Sequence, residues 1–182
     1  MNVSGQNNKI RDDMPVIIRE ASPKDAAKLV NHVNALLEEP ISYLEMARGE
    51  FTFTIEDEIN FIADCKKSEN TIFIVAEEKG EIIGSLICAG RERVKIRHNT
   101  ILGMSVKKEY RNQGIGSRLM EYAINWAKGT GVVKRIELHV FETNNQAIHL
   151  YKKYRFIIEG KKQKSIKVND EYINELIMAL PV

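Results

Sequence analysis

A chain of 182 residues, 43% hydrophobic and 29% charged, has the size and make-up of one globular domain with a sizeable core. Its 27 Lys+Arg against 25 Asp+Glu leave a net charge of only +2, too balanced to argue for a nucleic-acid or membrane surface. Cys65 and Cys88 make no disulfide framework, and with four histidines at no ligand-like spacing they make no metal set either.

In chain order, residues 1–14 are rich in Asn, Gln, Gly and Asp and lack the apolar core of a signal peptide. They read as a disordered tail before a domain over residues 15–182, and no apolar run is long enough to span a bilayer, so the cytoplasm is the default location. Val16 to Glu20 reads as a short strand. Ser22 then caps a helix with Pro23 at its first position and Asp25 as capping partner. Ala26, Leu29, Val30, Val33, Leu36 and Leu37 recur at helical steps and predict one buried face, and Pro40 stops the run. Thr54 looks like the cap of a second helix with Ile55, Ile59, Phe61 and Ile62 as its apolar side. Thr71 to Glu77 and Glu81 to Gly90 read as strands joined by a turn at Lys79-Gly80.

Thr100 to Val106 is a strand that enters the most informative stretch, Arg111-Asn-Gln-Gly-Ile-Gly-Ser117. Two glycines before a helix permit backbone dihedrals and close approaches that side chains forbid. The unpaired N–H groups and positive dipole end of that helix suit a phosphate. Arg111, Lys107 and Lys108 add charge of the right sign, so the stretch is predicted to cradle a pyrophosphate. A Walker loop would need Gly-Lys-Ser/Thr, and a dinucleotide fingerprint would need a small residue where Leu119 stands. Leu119, Met120, Ala123, Ile124 and Ala127 give the helix its buried side, and Gly129 or Gly131 ends it. Arg135 to Phe141 alternates like a strand with unequal faces. A fourth helix carries Ala147, Leu150 and Tyr151. Phe156 to Glu159 and Tyr172 to Leu180 close the chain as antiparallel strands with a turn near Asn169-Asp170. The fold class is therefore α/β: one domain with a mixed sheet of about six or seven strands and about four flanking helices.

Arg111-x-x-Gly114-x-Gly116 after Leu102-Gly-Met-Ser-Val106 resembles the acetyl-coenzyme A signature of the GNAT-superfamily N-acetyltransferases. Asn144-Asn-Gln-Ala-Ile-His-Leu-Tyr151-Lys-Lys-Tyr-Arg-Phe156 resembles a second segment of that superfamily, in the family's order and spacing. Ile17-Ile-Arg-Glu-Ala-Ser-Pro-Lys-Asp25 looks like its opening strand and helix start, so the likeness covers roughly residues 16 to 182. Arg155 stands where the family usually has glycine.

The resemblance implies an acyl-CoA N-acyltransferase fold and an acetyl group passed from acetyl-CoA to a primary amine by direct attack in a ternary complex, with coenzyme A as product. It implies a donor site of Arg111, Asn112, Gln113, Gly114, Ile115, Gly116 and Ser117 around the pyrophosphate. Ser105 and Val106 would pair by their backbone with the pantetheine arm, and Asn144 would lie against the cofactor. Tyr151 would be the proton donor to the leaving thiolate, and no metal is implied. The acceptor would meet Glu38 to Phe53 and Gln163 to Glu171, where Glu38 and Glu39 could attract a cationic amine. Glu137, His139 and His98 are candidates for the base, with none singled out. Three readings stand: transfer to a small amine or amino acid, transfer to a protein terminus or lysine, and a non-catalytic acyl-CoA-binding module. The family often dimerises through edge strands, and the apolar C-terminal strand would suit a homodimer.

Overall fold

The structure is a computed structural model that describes residues 15–182; the tail expected over residues 1–14 lies outside them. Seven strands form one sheet in the order β1-β2-β3-β4-β5-β7-β6. They are β1 (Ile17–Glu20), β2 (Ile72–Glu78), β3 (Glu81–Gly90), β4 (Asn99–Val106), β5 (Arg135–Phe141), β6 (Ile157–Val168) and β7 (Glu171–Pro181). Every pairing is antiparallel except β4 with β5. The helices are α1 (Ala26–Leu37), α2 (Ile55–Lys67), α3 (Ile115–Thr130) and α4 (Asn145–Lys153).

The alternation of each strand decides which helices cover it. Ile72, Ile74 and Ala76 of β2 join Leu86, Leu102 and Leu138 in a core under α3, into which Leu119, Met120, Ala123 and Ala127 point. Val75 and Ile82, on the opposite face, pack with Ala26 and Leu29 of α1 and Ile62 of α2. The sheet is thus covered on both faces, which explains why β2 carries few polar residues. Ser22 begins the first helical segment as expected: its N–H and hydroxyl both donate to Asp25 Oδ2, at 2.7 and 3.0 Å. Asp25 also takes two 2.7 Å bonds from Arg19, which hold its carboxyl down at about 2.

Three expectations change. In α2 the buried residues are Glu58, Ile62 and Cys65, whereas Ile55, Ile59 and Phe61 stay exposed; the helix meets the sheet through one narrow stripe rather than a broad apolar side. Residues 163–168 belong to the long hairpin strand β6, with bulges that bend it, so the expected loop from Gln163 to Glu171 shrinks to a turn. The C-terminal strand β7 is not an edge, because it lies between β5 and β6, and the lysine-rich β6 forms the edge instead. Cys65 and Cys88 are buried free thiols, and burial raises them to about 11 and about 12.

Candidate active site

β4 and β5 pair only from Asn99–Arg135 to Leu102–Leu138. Beyond that point they part: Gly103 to Val106 stay bonded to β3, and His139 to Phe141 stay bonded to β7. The gap opens a cleft of about 930 Å³ whose lining comes from both faces of the sheet. On the α3 side lie Arg111, Asn112, residues 114–117, Asn144, Leu150 and Tyr151; on the α1 side lie Tyr43, Glu45, Met46, Ile87, Ile101 and His139.

The open edge of β4 is polar backbone without a partner strand. Lys107 N–H donates to Ile83 O at 2.9 Å, so residues 103, 105 and 107 turn their amides and carbonyls toward β3. Residues 104 and 106 then face the cleft, and Arg111 Nε donating to the Val106 carbonyl at 2.9 Å agrees with this. The expectation for Ser105 is therefore corrected by one residue: its backbone is spent on β3, and Met104 joins Val106 at the open edge. The Ser105 hydroxyl turns instead to a buried chain, 2.9 Å from His32 Nε2 and 3.1 Å from Ser85 Oγ. His32 is 1% exposed, and burial, with Lys107 next, pushes its imidazole down to about 4.

The glycine loop has the predicted geometry, but its two glycines act differently. Gly114 caps α3 in the left-handed region at φ 82, and Asn112 sits there too at φ 61. The first intrahelical bond runs from Arg118 N–H to Gly114 O at 3.1 Å, which leaves the preceding amides without helical partners. Gly116 has another reason: a Cβ there would lie 3.1 Å from Leu150 Cδ2 and 3.7 Å from Met104 Cε, in the throat between α3, α4 and β4. Ile115 is buried, so only its backbone serves the loop. Asn112 Oδ1 accepts from Gln146 at 2.7 Å, and the Gln113 side chain donates back to Glu109 O at 2.8 Å. Ser117 Oγ lies 3.4 Å from Lys153 Nζ, a cation the sequence reading passed over because it lies one helix away.

Arg111 is not a free anion binder. Its Nη2 is 2.6 Å from Glu39 Oε2, and Glu39 also accepts the Lys108 N–H at 3.3 Å, so Glu39 clasps the glycine loop to the end of α1. Glu38 pairs with Arg48 at 2.7 Å and does not line the cleft. The expected amine attraction by these two glutamates is thus spent on arginines.

Asn144 caps α4 by accepting the Ala147 N–H at 3.2 Å. About two turns later Tyr151 lines the cleft at 6% exposure, its ring 5.8 Å from that of Phe156. Burial raises its phenol to about 12, so it carries its proton throughout the neutral range. Of the candidate bases, His98 is exposed and outside the cleft. His139 lines it, with Nδ1 3.1 Å from Lys162 Nζ and Nε2 3.4 Å from Glu137 Oε1. Behind it the buried Glu175 receives Lys162 at 2.7 Å. Glu45, Glu175 and His139 converge at one end of the cleft, where burial first and then Glu175 raise the Glu45 carboxyl. Glu45 and Met46 fall within the predicted acceptor segment but carry no motif that could have singled them out.

The sequence profile of the acetyltransferase (GNAT) family matches residues 34–156. The chain is 37% identical over 106 residues to the L-amino acid N-acetyltransferase AaaT of Escherichia coli, an alignment covering 58% of this chain and 65% of that protein. It is 30% identical over 95 residues to the catalytic subunit ard1 of the N-terminal acetyltransferase A complex of Schizosaccharomyces pombe, covering 50% of this chain and 54% of that one. The matches therefore span between about half and two thirds of these relatives' own lengths. Among solved structures, an acetyltransferase of the GNAT family from Streptococcus pneumoniae superposes with a TM-score of 0.89 at 32% identity, covering 92% of this chain and all of that one.

Proposed function

The chain belongs to the GNAT acetyltransferase family, and from that premise we propose that it transfers an acetyl group from acetyl-CoA to a primary amine of a small molecule, by direct attack within a ternary complex. The observation that carries this reading is the split between β4 and β5, with a glycine-capped helix N-terminus at one end and a protonated tyrosine in its wall. The likeness to an amino-acid acetyltransferase supports a small acceptor.

Acetyl-CoA fits the residues present: backbone donors at the α3 N-terminus for a pyrophosphate, an unpaired strand edge for an amide-bearing arm, and a throat kept open by Gly116. When bound it supplies an activated acyl thioester. The amides before Arg118 hold negative charge near the helix dipole, with Lys153 as a nearby counter-charge. A free N–H of Met104 or Val106 can donate to a carbonyl laid along β4 and stabilise the charge that grows there on attack. As the C–N bond forms and the C–S bond breaks, Tyr151, neutral at working pH, can donate its proton to the departing sulfur and be restored by the proton the amine nitrogen gives up.

The test is release of coenzyme A thiol by the purified protein from acetyl-CoA with a panel of amines and of peptides. Release that needs a small amine and saturates with it supports the reading; release only with peptides moves the activity to protein termini or lysines; binding without release leaves an acyl-CoA-binding module.

A further inference from the structure

The acceptor end of the cleft differs from the donor end in one respect that bears on the substrate. Its walls are apolar: Tyr43, Met46, Ile87, Ile101 and Phe141, with the rings of Tyr43 and Phe141 in edge contact at 5.9 Å. Glu45 and His139 line it as carboxylate and imidazole, with the buried Glu175 close to both.

Among the described residues, Arg111 and Lys153 are the only lysine or arginine side chains that line the cleft, and both stand at the donor end, where Arg111 is held by Glu39. The lysine and arginines nearest the acceptor end do not line the cleft and are already paired. Lys162 gives its charge to Glu175 at 2.7 Å, and Arg135 bridges Glu137 and Glu159. Arg48, on the acceptor loop, holds Glu38.

A free amino acid brings a carboxylate whose carbon is two bonds from its amine nitrogen. Partly desolvated, that group needs a guanidinium, an ammonium or a row of amides. Glu45 would meet it with charge of the same sign.

We infer that the acceptor of this chain is a primary amine on an apolar body with no carboxylate beside the nitrogen, drawn in as a cation past Glu45. This rests on the acetyltransferase reading above and narrows it. Two sources share the chemistry: a small aryl- or alkylamine, and the N-terminus of a peptide whose first residue is apolar.

Four acceptors with the same ring test it: 2-phenylethylamine, L-phenylalaninamide, L-phenylalanine and a C-terminally amidated tetrapeptide beginning with phenylalanine. Thiol release is measured at saturating acetyl-CoA and referred to the concentration of unprotonated amine. The carboxylate-free acceptors should exceed L-phenylalanine by about tenfold or more in kcat/KM. The tetrapeptide's rank then separates the two sources. Glu45→Gln should raise KM for phenylethylamine severalfold and leave kcat and acetyl-CoA affinity unchanged, whereas a merely structural role would move all three. Met46→Arg should narrow the gap by helping the free acid. L-Phenylalanine used as well as or better than its amide would overturn the inference. So would acetyl-CoA binding by calorimetry with no thiol release from any of the four. Absence of acetyl-CoA binding is a different result and removes the acetyltransferase reading itself.

Discussion

The two ends of the cleft are built from different material. The donor end is mostly backbone: the open edge of β4, the amides before Arg118, a left-handed Gly114 and a Gly116 that leaves a throat. The acceptor end is side chains, drawn from a loop after α1 and from three strands. A backbone site tolerates few substitutions, because each residue is there for its dihedral or its missing Cβ. A side-chain site can be re-lined without disturbing the fold. One end therefore states a ligand class in its sequence, and the other states its preference only once folded.

Four changes act on one end of the cleft and spare the other, or spare both. Tyr151→Phe, at the meeting of the two ends, should lower kcat by about 100-fold or more, within the range of general-acid catalysis. Acetyl-CoA affinity should stay within about twofold, because the ring packing against Phe156 survives. Unchanged kcat would remove Tyr151 from the chemistry.

The second change uses pH. His32 lies under the donor wall with its pKa lowered from 6.5 to about 4 by burial. Because the unfolded chain takes up a proton first, the stability held above pH 6.5 falls as pH drops from 6.5 toward 4, by about 3 kcal/mol over the window. Asp25, lowered from 3.8 to about 2, contributes its loss only below that range. Urea unfolding at pH 7.5 and 4.5 measures the fall, and His32→Gln should flatten it.

Gly114→Val places a branched side chain at φ 82 in otherwise open space. The strain of about 1–2 kcal/mol falls on the loop, so acetyl-CoA affinity should drop about tenfold by calorimetry. The amine KM at the other end should hold. The smallest effect belongs to Glu38→Ala: the Glu38–Arg48 pair is exposed and outside the cleft, so melting temperature and amine KM should barely move.

Much of the fold was legible because its signals are local. The Ser22–Asp25 cap, the stripe from Leu119 to Ala127 and the Lys79-Gly80 turn each depend on neighbours in sequence. Even the family's missing glycine is visible, since Arg155 adopts φ 66, the conformation that glycine would take without strain. Two things were not legible. Which β4 residues face the cleft depends on register against β3, and the register moves the open edge from Ser105 to Met104 and Val106. The partners of charged residues depend on tertiary contacts: Arg111 with Glu39 are 72 positions apart, and Lys153 with Ser117 are 36 apart. A spacing rule that spans a few residues cannot see either pair.

On the function proposed above, the split between β4 and β5 is an acyl-CoA site made of backbone. Calorimetric titration with acetyl-CoA, using nucleotides without the pantetheine arm as controls, tests it most directly. The expected result is saturable micromolar binding that requires the arm, persists in Tyr151→Phe, weakens in Gly114→Val and raises thermal stability. Absence of binding at millimolar concentration, or equal binding of the bare nucleotide, would contradict it.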